Sequence, residues 1–300
     1  MSANSNHPIV CFGEVLWDIL PSGAEPGGAP MNVAYHAHKQ GKNPALITRI
    51  GVDDKGRELL NIFNRFGVCT DYFQMDFDHQ TGKVFAQPNE HNEVIYDIVK
   101  PVAWDFINYA DELTALVKNA EYFVFGSLAA RNKTSRDTLY RLLDIATQKV
   151  LDINLRSPHY DKRIVKDLLS KADFLKMNLA ELELITGWFS SYTNLEDRMK
   201  NILEQFEIKN LVVTMGGDGA MLYMNDKIIK HAGFKVDVAD TVGSGDAFLA
   251  GLLSKLMDKA SPETALDFAS RMGAFIATQR GACPEYSLKD IENLFQVKSL

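Results

Sequence analysis

The stretch Asp240-Thr241-Val242-Gly243-Ser244-Gly245-Asp246-Ala247-Phe248 decides how this 300-residue chain is to be read. Small residues open it, and Phe248, Leu252, Leu253 and Leu256 then recur on one face, so the spacing predicts a helix that begins at the loop. Residues without bulky side chains let backbone N–H groups at a helix start face an anion, and the helix dipole favours negative charge there. Phosphate fits such a loop. A carboxylate at Asp246 would repel it, unless that carboxylate accepts a proton from an attacking hydroxyl. Read locally, Asp246 is instead a first-turn residue that complements the helix dipole. The dinucleotide fingerprint GxGxxG is not completed after Gly245, and the stretch lies toward the carboxyl end.

Working outward, apolar runs at Pro8–Phe12, Ala45–Ile50, Tyr122–Phe125, Val150–Ile153, Phe174–Met177 and Leu211–Met215 read as buried strands. Helical periods lie between them, as in Leu59, Ile62, Phe63 and Phe66, or Leu139, Leu142, Leu143 and Ala146. Strands alternating with helices predict an α/β fold, an open and mainly parallel sheet covered on both faces, with ligands beyond the carboxyl ends of its strands. From Thr70 to Val99 the helical period is missing; Tyr72–Met75, Lys83–Gln87 and Val94–Ile98 look extended and are separated by turn formers. Spacing leaves this β excursion open as a sheet edge or as a lid over the site.

A second glycine-bearing segment, Pro26-Gly27-Gly28-Ala29-Pro30-Met31-Asn32, precedes an Ala-rich helix that ends near Gly41. Gly27 and Gly28 would let a ligand approach the backbone, and Asn32 carries the donor and acceptor that suit a hydroxyl-rich ligand. A tight turn with a polar residue at the helix start explains the same letters. Asp18, in Gly13-Glu14-Val15-Leu16-Trp17-Asp18, could accept two hydrogen bonds from vicinal hydroxyls.

Composition sets outer bounds. With 46% hydrophobic and 24% charged residues the chain is an ordinary globular one, and 32 basic against 39 acidic residues leave a net charge of −7, without the basic field that nucleic acid requires. Cys11, Cys69 and Cys283 are odd in number and lack CxxC spacing, so neither a disulfide framework nor a zinc site is indicated and a reducing, cytoplasmic setting is expected. Met1 to His7 is polar, without a basic or apolar signal pattern, and no run approaches the roughly 18 apolar residues of a membrane span, so a protein neither secreted nor membrane-bound is expected. His36 and His38, two apart on a predicted helix, face different ways; Asp53-Asp54 read as helix caps before a metal pair.

Through both glycine segments, with Gly41 and Ile50-Gly51-Val52-Asp53 after the first, the chain resembles the ribokinase-like (PfkB) carbohydrate kinase family over nearly its whole length. Within it, GEVLWD, PGGAPMN and Asp152-Ile153-Asn154-Leu155-Arg156 look most like bacterial fructokinases. The resemblance implies a three-layer α/β/α fold, residues 1–300 forming one kinase domain with a β lid from about 14–26 and 70–100, and phosphoryl transfer from ATP to a ketohexose, D-fructose at its 6-hydroxyl. Asp246 would be the base, with the N–H groups of Gly243, Ser244 and Gly245 around the phosphoryl group; Asp18, Gly27, Gly28 and Asn32 would hold the sugar.

Asn178-Leu179-Ala180-Glu181 matches the family's NxxE element, which implies Asn178 near the phosphates and Glu181 organising Mg²⁺ through water; locally the same letters are a capping box. Thr214-Met215-Gly216-Gly217-Asp218-Gly219 resembles the nucleotide loop, in which Thr214 bonds a phosphate and Gly216 and Gly219 let ATP approach; as plain sequence it is a strand–turn–strand signal. Arg156 would neutralise the transferred phosphate or read the substrate, and Asp240, Val242, Ile276, Gln279 and Gly281 match the monovalent-cation loop, which implies K⁺ activation. The lid could pair with a twin in a homodimer. Gly126-Ser127 stands where ribokinases carry a sugar-binding carboxylate, which argues against ribose. Arg156 also suits a 2-keto-3-deoxygluconate kinase, and the same motifs leave a nucleoside kinase or, less readily, a non-catalytic sugar or nucleotide sensor open.

Overall fold

The apolar runs become strands because each alternates its side chains between two apolar layers. Val10 and Phe12 join one buried cluster while Ile9 and Cys11 join the other, an alternation that requires helices on both faces of a sheet. The computed structural model describes residues 6–20, 23–88, 94–189, 191 and 194–296.

In chain order the elements begin with β1 (Ile9–Phe12), β2 (Leu16–Leu20), β3 (Gly23–Gly27), α1 (Ala29–Lys39), β4 (Ala45–Gly51), α2 (Asp54–Phe66), β5 (Phe73–Asp76), β6 (Gly82–Pro88) and β7 (Val94–Ile98). Then come α3 (Asp111–Asn119), β8 (Tyr122–Gly126), α4 (Lys133–Leu143), β9 (Lys149–Asp152), α5 (Lys162–Leu169), β10 (Phe174–Asn178), α6 (Leu179–Thr186) and α7 (Leu195–Phe206). The chain continues through β11 (Asn210–Thr214), β12 (Ala220–Met224), β13 (Lys227–His231), α8 (Ser244–Met257), α9 (Pro262–Ala277) and α10 (Leu288–Gln296).

One sheet has nine strands in the order β13-β12-β11-β10-β9-β8-β1-β4-β5. It is parallel from β11 to β5 and antiparallel only at its β11–β12–β13 edge. Helices α3 to α7 pack on one face and α1, α2, α8 and α9 on the other, which is the three-layer α/β/α fold. Chain order reverses on either side of β1, whose neighbours are β8 and β4, and such a switch point opens a crevice at the carboxyl ends of the strands.

A second sheet of four strands, ordered β3-β2-β6-β7, stands apart from the first. Its own Leu16, Val84 and Ile98 pack with Val102, Trp104 and Leu128. Phe73–Asp76 corrects the expected grouping of residues 70–100, because β5 pairs in parallel with β4, Thr48 opposite Phe73, and so closes the edge of the large sheet. Its neighbour in space is the last strand of the first βαβ unit, a long-range fact that local turn signals do not carry. Residues 21–22 and 89–93 of the expected lid lie outside the described residues.

Local chemistry sets the helix ends that frame the crevice. Asp53 accepts a hydrogen bond from Gly56 N at 2.7 Å and caps α2, and its two oxygens also accept from the hydroxyl and the backbone N–H of Thr81. Among the described residues no helix is long and apolar enough to cross a membrane.

Candidate active site

The crevice is built from the carboxyl ends of β1, β8, β9 and β10 and from the first turns of α1 and α8. Gly28 and Gly243 are the residues before those two helices, with φ of 125° and 76°. A Cβ on Gly28 would stand 2.3 Å from the carbonyl oxygen of Glu14, and one on Gly243 would stand 2.7 Å from Cα of Ala282, so both turns need glycine for conformation and for space. The first N–H groups of α8 have no i−4 carbonyl inside the helix, and the buried Oγ of Ser244 has no partner within the protein. Unmet donors at a helix start are the means of holding an anion.

Asp246 lies in the first turn of α8 and meets Asn32 of α1: Asn32 Nδ2 donates to Asp246 Oδ2 at 2.8 Å. The two sequence signatures therefore converge on one contact. Burial pushes the Asp246 carboxyl up to about 6, the Asp152 charge adds to this, and Lys176, Asn32 and Arg156 oppose it. The group is tuned toward the range of a general base at neutral pH.

Behind the anion loop lies a buried ion pair. Lys176 Nζ donates to Asp152 Oδ2 at 2.6 Å, between neighbouring positions of β10 and β9, with side chains only 9% and 5% exposed. Lys176 Nζ lies 3.2 Å from where a Cβ on Gly245 would be, directly under the loop. Burial disfavours the ammonium form, but the carboxylates of Asp152 and Asp246 outweigh it and hold Lys176 above the usual lysine value. Asp152 Oδ1 is buried and has no protein partner.

Asn178 and Glu181 form the capping box of α6: Asn178 Oδ1 accepts from Glu181 N at 2.9 Å, and Glu181 Oε2 accepts from Asn178 N at 2.8 Å. Glu181 Oε1 accepts from Leu155 N at 2.8 Å, which ties α6 to the loop that carries Arg156. Burial raises the Glu181 carboxyl, Asp152 adds to this, and Asn178, Lys176 and Leu155 work against it.

The remaining expected residues divide into two groups. Arg156 is exposed, and its charge works against the burial that raises Glu14, Asp18 and Asp246. Asp18 lies on β2 with its carboxylate against Gly27, where a Cβ would stand 2.1 Å from Oδ2, and burial raises it to about 6. Asp240 joins two loops: Oδ1 accepts from Val242 N at 3.0 Å and Oδ2 from Gly281 N at 3.3 Å. Ile276 and Gln279 sit at the end of α9, where the Ile276 carbonyl accepts from Gln279 N at 2.9 Å.

Thr214 stands beside Asn178 in the β10–β11 register. Gly216 is exposed on its turn, with open space around it. At Gly219 a Cβ would stand 1.9 Å from the His231 carbonyl oxygen, so the adjacent backbone of residues 231–233 demands glycine there.

Glu14, Asp152, Lys176 and Cys283 escaped the assignment of roles. Glu14 is buried, its Oε1 accepts from Ala29 N at 3.3 Å, its Oε2 has no partner, and burial pushes its carboxyl up to about 7. Glu14 and Asp152 both lie inside motifs already noted, and acidic residues at strand ends are the signal that could have drawn attention to them. Lys176 and Cys283 leave no local mark.

The family model for the pfkB family carbohydrate kinase matches residues 23–288. Fructokinase-1 of Oryza sativa subsp. japonica is 30% identical over 311 residues, covering 94% of this chain and 95% of its own. Fructokinase-1 of Zea mays is 30% identical over 305 residues, covering 92% and 93%. Among solved structures, fructokinase from Vibrio cholerae O395 with bound fructose, ADP and calcium is 25% identical and superposes with a TM-score of 0.83 over 97% of this chain and 99% of that one. Fructokinase from Xylella fastidiosa with bound ATP has a TM-score of 0.84 at 23% identity, covering 97% and 99%, a likeness of fold. With the glycine-bearing turns, Asp246 and its partner Asn32 in one crevice and the family model spanning most of the sequence, the chain belongs to the pfkB family of carbohydrate kinases.

Proposed function

We propose that the protein transfers the γ-phosphoryl group of ATP to the 6-hydroxyl of D-fructose, giving fructose 6-phosphate and ADP. The observation that carries this reading is the Asn32–Asp246 contact at the start of α8, beside a glycine-bearing loop whose buried Ser244 hydroxyl has no partner in the protein. The fructokinase relatives narrow the acceptor to a ketohexose.

Asp246 takes the proton of the 6-hydroxyl as its oxygen bonds to the γ-phosphorus, and the bond from that phosphorus to the β,γ-bridging oxygen breaks to release ADP. The N–H groups of Gly243, Ser244 and Gly245 face the phosphoryl group in flight, with Arg156 adding positive charge and Lys176 doing so from below. Asp18, Gly27, Gly28 and Asn32 hold the sugar; Asn178, Thr214 and Gly216 flank the nucleotide. Glu181 and the unpartnered Asp152 Oδ1 form an all-oxygen donor set that fits Mg²⁺, and these two residues would hold the ion, directly or through water. Mg²⁺ when bound neutralises charge on the phosphates.

Residues 1–300 act as one catalytic unit. Strands β2, β3, β6 and β7 form a lid that closes over the sugar and excludes water, and they offer an edge through which two copies could pair. Asp240, Val242 and Gly281, with the α9 end, would take K⁺. Three free cysteines accord with a cytoplasmic setting.

Purified protein given ATP and a panel of D-fructose, 2-keto-3-deoxygluconate and nucleosides should show its highest kcat/KM on fructose. Turnover of the sugar acid or a nucleoside in place of fructose overturns the substrate. Ligand binding in calorimetry with no sugar phosphate formed overturns the enzyme.

A further inference from the structure

A role for Cys283 follows from the strap that carries it, and it rests on the reading of Asp246 as the base. Residues 282–286 form this strap, which is pinned to α1, the helix that carries Asn32. Tyr35 Oη donates to the Pro284 carbonyl at 2.6 Å. His36 lies between the Ala282 carbonyl at 2.9 Å from Nε2 and the Tyr286 hydroxyl at 2.9 Å from Nδ1. A carbonyl only accepts, so Nε2 carries the proton and Nδ1 of the neutral ring accepts from Tyr286. Burial pushes His36 down to about 4, and Lys39 adds to this, so the ring stays neutral and the strap stays pinned across the ordinary pH range.

The strap also packs against the anion loop, since Ala282 fills the space beside Gly243 that a Cβ would need. Its one polar side chain on the site is Cys283, whose Sγ donates to Asn32 Oδ1 at 3.3 Å. The amide oxygen of Asn32 is thereby engaged by the thiol while its Nδ2 donates to Asp246 Oδ2 at 2.8 Å. An asparagine amide turned by half a revolution would set its oxygen against the Asp246 carboxylate, and an S–H donor on the far side holds it the right way round.

We propose that Cys283 is a positioning residue for phosphoryl transfer: held by the α1-pinned strap, it fixes the Asn32 amide so that an N–H faces the general base. The groups around Asp246 are Asn32 of α1, Asp152 and Lys176 of the sheet, Arg156 and Glu14 at the crevice wall, and Cys283 of the strap. Of these, Asn32 is the one to which Cys283 donates a hydrogen bond.

The test is a double-mutant cycle read as kcat, sugar KM and the acid limb of the pH profile for kcat, in the full-length enzyme. Cys283→Ala should slow kcat about five- to tenfold and move the acid limb upward by about 0.5 pH unit, because the Asn32 N–H that stabilises ionised Asp246 is no longer held. Cys283→Ser restores an O–H donor and should bring both values back to within about twofold of the parent. In an Asn32→Ala background, Cys283→Ala should change nothing further. The proposal is overturned if Cys283→Ala matches the parent, if serine does not rescue, or if alanine has its full effect without Asn32. Asp246→Asn, assayed beside them, separates the two readings: loss of turnover there with no effect at Cys283 sinks only this inference, whereas retained turnover sinks the assignment of Asp246 itself.

Discussion

Asn32 and Asp246 lie 214 residues apart in sequence and share a 2.8 Å hydrogen bond, N–H to carboxylate, where helices α1 and α8 begin. The contact joins the two glycine-bearing signatures into one site, and it sets the first prediction. Asp246→Asn retains the shape and removes the proton acceptor, so kcat should fall by roughly 10² to 10⁴, while calorimetry still detects ATP binding. Turnover within about threefold of the parent would falsify the base assignment.

The acid limb of the kcat profile should report Asp246, whose carboxyl is raised to about 6 by burial and by Asp152. As the proposed base it works ionised, so activity should drop as pH falls through that value. Lys176 pulls the Asp246 value down, so Lys176→Met should move the limb to higher pH. A limb that stays in place in this variant would remove Lys176 from the electrostatics of the site.

The same substitution tests the buried pair. Taking away the ammonium leaves Asp152, 5% exposed, as an uncompensated charge in the sheet. Unfolding by urea should show a loss of about 3–5 kcal/mol, the usual cost of breaking such a pair from one side. A loss below about 1 kcal/mol would mean that Asp152 is solvated or neutral in the variant.

Glu14 should make the fold less stable as pH rises. Its carboxyl is raised from 4.5 to about 7 by burial, so between those values the native state binds more protons than the unfolded chain. Its contribution is therefore most favourable at acid pH and is lost as pH climbs toward 7, by about 3 kcal/mol at most. Glu14→Gln keeps an acceptor for Ala29 N and removes the ionisation. The difference in stability between about pH 5 and pH 8 should shrink in that variant; an unchanged difference in paired thermal scans would assign the pH dependence elsewhere.

Gly243→Ala should damage the loop on two counts. The backbone there has φ of 76°, and the added methyl would meet Ala282 at 2.7 Å. The conformation alone costs about 1–2 kcal/mol, and displaced N–H donors should lower kcat by about tenfold or more. If the alanine variant keeps both its melting temperature and its kcat, the loop is not the tight cradle described.

Much of the fold is legible in the letters because its causes are local. Apolar runs of four to seven residues with helical periods between them dictate strands and helices, and the β1, β4 and β8–β11 assignments differ from the expected runs only by a residue or so at their ends. The capping box of Asn178 and Glu181 and the cap at Asp53 are likewise local, since the bonds close within three residues. So is the turn into α8, where the Ser244 N–H donates to the Thr241 carbonyl at 3.3 Å, three residues back.

What the letters do not contain is register and contact between distant segments. Phe73–Asp76 looks like one more strand of a β excursion, and only its pairing with β4 gives it to the large sheet. Gly219 reads as a turn glycine, and only the fold shows the backbone of residues 231–233 lying where a side chain would be. Lys176 is one polar residue in an apolar strand until β9 places Asp152 beside it. Cys283 is one cysteine of three until the strap pinned by Tyr35 and His36 sets it on Asn32. By itself the sequence determined the α/β layering and the glycine-bearing turns at the starts of α1 and α8, since backbone conformation and periodicity act over a few residues. The tertiary structure alone decided which of them meet, because a hydrogen bond between residues far apart in sequence depends on the packing of whole helices and strands.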